Sequence, residues 1–168
     1  MSTTPTMITN DQIRELADAL SMQFRKNNDK DDLRLDLGPV LDAINADVLP
    51  SHGTESSQVD PDGSFHIYIP SMTSNRRDRF TICHEIGHYF LHYRIVNIRE
   101  EDLPMKFGRG ERNRAETQAN VFASSFLMPE QLFKKEYKKQ KGDCWAVAQS
   151  FDVSPAAAQV RAQVLGLE

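Results

Sequence analysis

At 168 residues, with 39% apolar and 26% charged side chains and a net charge of −4, the chain has the makeup of one compact soluble domain with room for a real core. That composition excludes a disordered or membrane-embedded chain, and the acidic balance argues against a dedicated nucleic-acid binder. No stretch approaches the ~18 to 20 apolar residues of a membrane span, the first ten residues lack a secretory signal's basic flank and apolar run, and Cys83 and Cys144 cannot frame a disulfide scaffold, so a cytoplasmic setting is expected.

Residues 1 to 9 read as a flexible tail. Asn10 is a good N-cap for a helix in which Ile13, Leu16, Ala17, Leu20 and Phe24 recur at helical spacing, ending near Asn27-Asn28-Asp29. The Asp-rich residues 29 to 36 interleave with Leu33, Leu35 and Leu37, which makes them a solvated loop tethered by apolar contacts. A short helix follows Gly38-Pro39. Strands are expected at Val48-Leu49, at Ser56 to Asp60 and, by the alternation of Phe65, Ile67 and Ile69 with His66 and Tyr68, before Pro70; together they form a small antiparallel sheet. His52 and His66 stand alone at no ligand spacing, so surface or structural roles are expected of both.

A long helix should run from about Asn75 to His92 or Tyr93, with Arg76, Arg77 and Arg79 crowding its start as a solvated turn countered by Asp78. Residues 94 to 112 hold no period and suit a mobile flap over a cleft. The next helix begins near Asn113, and Pro129 separates it from one bearing Lys134, Lys135, Lys138, Lys139 and Lys141 on a solvated face. Two more helices close the chain: Cys144 to Phe151, and one with Ser154 as cap, Pro155 in its first turn and Gly166 as its stop.

The chemistry is concentrated in His84-Glu85-Ile86-Gly87-His88. On a helix His84 and His88 share a face and can direct two imidazoles at one metal ion, with Glu85 beside them as a general base. Cys83 lies about 100° around the helix and is expected to pack. A catalytic zinc needs one more protein ligand. His92 continues the i+4 series, but about 12 Å of rise separates it from His84 on a straight helix, which excludes it from the same ion. A carboxylate on the helix starting near Asn113 is the natural supplier, and Glu116 is the acidic residue in its first turns; Glu111, Glu100 and Glu101 are alternatives in the less rigid loop.

The runs Arg79 to His92, Glu116-Thr-Gln-Ala-Asn-Val-Phe-Ala123 and Phe126-Leu-Met-Pro129 resemble the ImmA/IrrE family of metallopeptidases. The resemblance implies an α+β, mostly helical zincin-like domain over residues 10–141, with a C-terminal helical extension over 142–168. It implies Zn2+, with Mn2+ as a substitute, held by His84, His88 and Glu116, while Glu85 moves the proton of the attacking water. Tyr89, His92 or Tyr93 would stand behind the ligands or stabilise the oxyanion. The expected partner is a helix-turn-helix transcriptional repressor of a phage, mobile element or stress response, cleaved as substrate. The competing reading is an antirepressor that only sequesters it. Direct DNA binding through residues 143 to 166, using Gln159, Arg161 and Gln163, is a weaker third.

Overall fold

The computed structural model describes residues 4–26, 28–29, 31–71, 73–95, 105–108 and 114–168, the side chains of 105–108 excepted. It is α+β and mostly helical: α1 (Asn10–Phe24), α2 (Gly38–Ala43), β1 (Ala46–Ser51), β2 (Ser56–Val59), β3 (Phe65–Pro70), α3 (Asn75–His88), β4 (Met105–Gly108), α4 (Arg114–Leu127), α5 (Glu130–Lys139), α6 (Cys144–Phe151) and α7 (Pro155–Val164). After His88 the helix widens into π turns over Tyr89–Arg94. Among the described residues no helix is long and apolar enough to cross a membrane.

Local chemistry explains most of the boundaries. The cap of α1 is Thr9, one residue before the expected Asn10, in a reciprocal box with Gln12. Ser74 caps α3 and Ser154 caps α7, each accepting from the backbone N–H three residues on. Asp152 ends α6 in the left-handed region at φ 55°, which aspartate tolerates better than most residues.

The sheet departs from expectation in direction and in membership. Its order is β1-β3-β2-β4, and β1 joins β3 in parallel, whereas β2 pairs antiparallel with both β3 and β4. An all-antiparallel sheet would need β1 beside β2; the chain instead lays β3 between them. β4 comes from within residues 94 to 112, expected as a flap; its backbone extends the sheet, and residues 96–104 and 109–112 of that stretch lie outside the described residues. On the sheet's inner face Val59, Phe65 and Ile67 join the core with Ile86, Leu91, Phe122 and Phe126.

Helix α4 packs chiefly on α3 and α1. Gly87 sets its distance from α3: a Cβ there would lie 3.1 Å from Phe122 Cβ and 3.2 Å from the Ala119 carbonyl oxygen. The far end of α4 is held by side chains that take up carbonyls with no helical partner. Ser21 Oγ donates to Phe126 O at 2.6 Å, Arg25 Nη2 to Leu127 O at 3.0 Å and Arg161 Nε to Met128 O at 3.0 Å. Arg25 also donates to Leu33 O, pinning the Asp-rich loop, and burial lowers its pKa to about 10, so it stays charged. Arg161 is 1% exposed and lies 3.5 Å from Asp18, so the one charged side chain of α7 is spent inside the fold and cannot reach DNA.

The arginines at the start of α3 also find a partner the sequence did not suggest. Arg34, Arg76 and Arg79 converge on Asp152, at 3.0, 3.3 and 3.4 Å, while Asp78 accepts from the Thr73 hydroxyl. Arg79 is buried and donates to Leu35 O. This cluster ties α3 to the C-terminal helices, where Val147, Phe151, Val153, Ala158 and Ala162 enter the same core as the rest.

Two outcomes are expected. Gly87→Ala gains roughly 1 kcal/mol of helix propensity but meets stiff neighbours, at an overpacking cost of about 1–3 kcal/mol, so a net loss of about 1 kcal/mol in chemical denaturation is expected. Metal affinity should fall with it, because α4 carries Glu116. His66 lies 2.5 Å from Asp47 and 3.0 Å from Asp60, and the hydrogen bond to Asp47 raises its pKa. A raised folded pKa stabilises below the unfolded value near ~6.5 and fades as pH climbs through the folded one. Wild type should therefore exceed His66→Gln in urea midpoint by more at about pH 6 than at about pH 8.

Candidate metal centre

The two helices that meet at Gly87 bring three donor groups to one point. His84 and His88 lie one turn apart on α3 and are fully buried; Glu116 reaches across from the first turn of α4. His84 Nε2 is 3.0 Å from Glu116 Oε2, His88 Nε2 is 3.0 Å from Glu116 Oε1, and the two Nε2 atoms are 3.1 Å apart. Burial alone would raise the Glu116 carboxyl, but hydrogen bonds to His84 and His88 outweigh it and hold the pKa at about 2, so an anion faces the two imidazoles.

This donor set fits a tetrahedral cation. Bonds of about 2.0–2.1 Å place tetrahedral donors about 3.3 Å apart, so a relaxation of about 0.3 Å accommodates Zn2+. The outer nitrogens support it: His84 Nδ1 lies 2.8 Å from Asn120 Oδ1, which turns Nε2 toward the cluster as the nitrogen able to meet a cation. Two imidazoles and a carboxylate, each able to offer a lone pair, meet at one point, and a cation can take the place of the hydrogens that bridge them. Among the described residues three donors converge, one fewer than a tetrahedral ion takes. Glu100, Glu101 and Glu111, the alternatives for the third position, lie outside the described residues.

Glu85 is buried beside the pair, and its Oε2 accepts from Ser57 Oγ on β2 at 2.5 Å. Ser57 faces inward because β2 alternates, with Ser57 and Val59 in and Ser56 and Gln58 partly out. No local signal in the sequence marks this serine; it becomes visible only once β2 lies over α3. Asn120 and Gln118 are missed for the same reason.

His92 stands behind the cluster. The π turns after His88 break the straight helix on which the 12 Å separation was reckoned, yet His92 is still not one of the convergent donors: its Nδ1 is 2.9 Å from His88 Nδ1, on the side away from Glu116. Burial lowers its pKa to about 4, keeping the ring neutral. Tyr89 packs its ring on Phe65 with centroids 5.1 Å apart and lies 5.4 Å from Tyr93, so the two tyrosines form one aromatic stack. Burial raises the Tyr89 pKa. Cys83 is packed in the core, its thiol pushed up to about 12 by burial, as the helical spacing had it.

Comparison with known proteins agrees with this geometry. A Mycobacterium tuberculosis transcriptional regulator of solved structure superposes with a TM-score of 0.57 at 17% identity, over 89% of this chain and 47% of that one, so the shared feature is the fold and this chain spans about half the other's length. A comparison with curated proteins returns no match. The profile of Peptidase_M78, the IrrE N-terminal-like domain, matches residues 45–163, a span that holds the sheet, both site helices and nearly all of α7. With more than two thirds of its length inside that match, the chain belongs to the Peptidase_M78 family of IrrE N-terminal-like domains.

Proposed function

We propose that the protein is a zinc-dependent endopeptidase of the cytoplasm that cleaves a helix-turn-helix transcriptional repressor, with Mn2+ able to replace Zn2+. The observation that carries this reading is the pairing of a three-donor cluster with a separate buried carboxylate. A structural zinc takes four protein ligands and has no use for a fifth acidic group beside it. Here His84, His88 and Glu116 converge, and Glu85 is held by Ser57 instead. The regulatory assignment draws on family membership and on a structural neighbour that is itself called a transcriptional regulator.

In this mechanism His84, His88 and Glu116 hold the ion, which supplies Lewis acidity toward the scissile carbonyl and the attacking water when bound. Glu85 accepts the proton of that water and delivers it to the leaving amine. The Ser57 hydroxyl orients the Glu85 carboxylate for both transfers by occupying one oxygen. His92 has a described partner at each ring nitrogen, His88 at one and Gln118 at the other, so it positions rather than reacts. The choice of oxyanion donor then falls between Tyr89 and Tyr93, and Tyr93 is the more exposed of the two.

The test is purified protein with Zn2+ and the repressor encoded beside it. Glu85→Gln should cut the cleavage rate by about 10²- to 10⁴-fold while leaving bound Zn2+ near one per chain, because the base is removed and the ligands are not. Glu116→Ala should lose the metal and the activity together. Unchanged cleavage by Glu85→Gln would sink the mechanism. Release of operator DNA that survives that substitution without cleavage would favour sequestration.

A further inference from the structure

Behind His88 an unbroken line of hydrogen bonds ends on the backbone of the N-terminal segment. His88 Nδ1 is 2.9 Å from His92 Nδ1, and His92 Nε2 is 3.0 Å from Gln118 Oε1. Gln118 is gripped twice by Thr6, whose N–H donates to Oε1 at 3.0 Å and whose carbonyl accepts from Nε2 at 2.9 Å. All four residues are buried, including Thr6 at 4% exposure, inside the stretch expected to be a flexible tail.

The line has a direction, and the main chain sets it. A backbone N–H can only donate and a carbonyl can only accept, so Thr6 permits one orientation of the Gln118 amide, with Oε1 toward His92. An amide oxygen only accepts, so His92 Nε2 carries the hydrogen. A neutral imidazole has one N–H, which leaves the lone pair of His92 on Nδ1, where it accepts from His88 Nδ1–H. With a hydrogen held on Nδ1, the nitrogen of His88 that can offer a lone pair to a cation is Nε2, 3.0 Å from Glu116 Oε1. Reversing the His88 tautomer would set two donors or two acceptors against each other along the line, or would turn the Gln118 amide against both groups of Thr6.

We infer that Thr6, Gln118 and His92 are positioning residues that hold a hydrogen on His88 Nδ1, so that Nε2 is the nitrogen His88 presents to an ion. The consequence for metal affinity rests on the metal-centre reading above; the tautomer does not. His84 has no equivalent relay among the described residues: its Nδ1 meets Asn120, an exposed side chain whose amide no backbone group of that kind orients.

The experiment is long-range proton–nitrogen NMR of the full-length, metal-free protein with labelled imidazoles at neutral pH, followed by Zn2+ affinity from chelator competition. Wild type should show His92 protonated at Nε2 and His88 at Nδ1. Gln118→Leu keeps the bulk but removes the acceptor, and should give a mixture of His88 tautomers with a roughly 10- to 100-fold loss of Zn2+ affinity. Gln118→Glu still presents only an acceptor to His92, and should retain the wild-type His88 tautomer and stay closer to wild type in affinity. The inference is overturned by the opposite tautomers in wild type, or by Gln118→Leu behaving like Gln118→Glu. If Gln118→Leu does not fold, the wild-type and Gln118→Glu spectra still decide. A wild type with the expected tautomers that takes up no Zn2+ would support the relay and overturn the metal centre.

Discussion

The site depends on the close approach of α3 and α4 where Gly87 has no side chain. Two histidines on α3 cannot hold a catalytic ion alone, and the third donor sits on the other helix, so interhelical distance and ligand geometry are the same variable. Metal sites tolerate errors of a few tenths of an ångström. A methyl group at the crossing would consume that tolerance. This ties a packing constraint to a chemical one: Phe122 and Ala119, which carry no reactive group, decide where Glu116 stands.

The remainder of the fold restrains α4 against sliding or tilting. Its C-terminal carbonyls are engaged by Ser21 of α1 and Arg25 at the C-cap of α1 and, one residue beyond its end, by Arg161 from α7. Buried guanidinium groups are costly unless their hydrogens are used: Arg25 donates to two carbonyls and the Ser21 hydroxyl, and Arg161 donates from Nε to Met128 O while its Nη2 faces Asp18 at 3.5 Å. Near the site end, Thr6 binds Gln118 on the same helix. Segments at both ends of the chain are thus recruited to one helix, which gives the residues after 142 a structural part in the site although they donate nothing to it.

Much of this was legible in the sequence because it is local. The i, i+4 spacing of His84 and His88, the Ser154-Pro155 helix start and the period-2 alternation of Phe65 to Ile69 each reflect one element's own geometry, and the structure keeps all three. Glu116 was reachable because its helix offers few acidic residues. What escaped is long-range. The parallel pairing of β1 with β3 depends on the path of the chain between them, and β4 has no pattern of its own, drawing its hydrogen bonds from β2. Asp152 could not be seen as the counter-charge of Arg76 and Arg79 from more than seventy residues away. Ser57, an ordinary strand serine by every sequence measure, holds the buried Glu85.

The π turns after His88 remove the straight-helix premise that separates His92 from His84. On a straight helix His92 is too far along the axis to share an ion with His84. The real helix widens at Tyr89, which changes the angular position of every later residue and is a distortion often found at functional sites. Widening could have turned His92 toward the cluster. Instead the His92 ring meets the outer nitrogen of His88 and passes its other nitrogen to Gln118. His92 thus stands behind His88, where the two Nδ1 atoms meet, and outside the group of three donors.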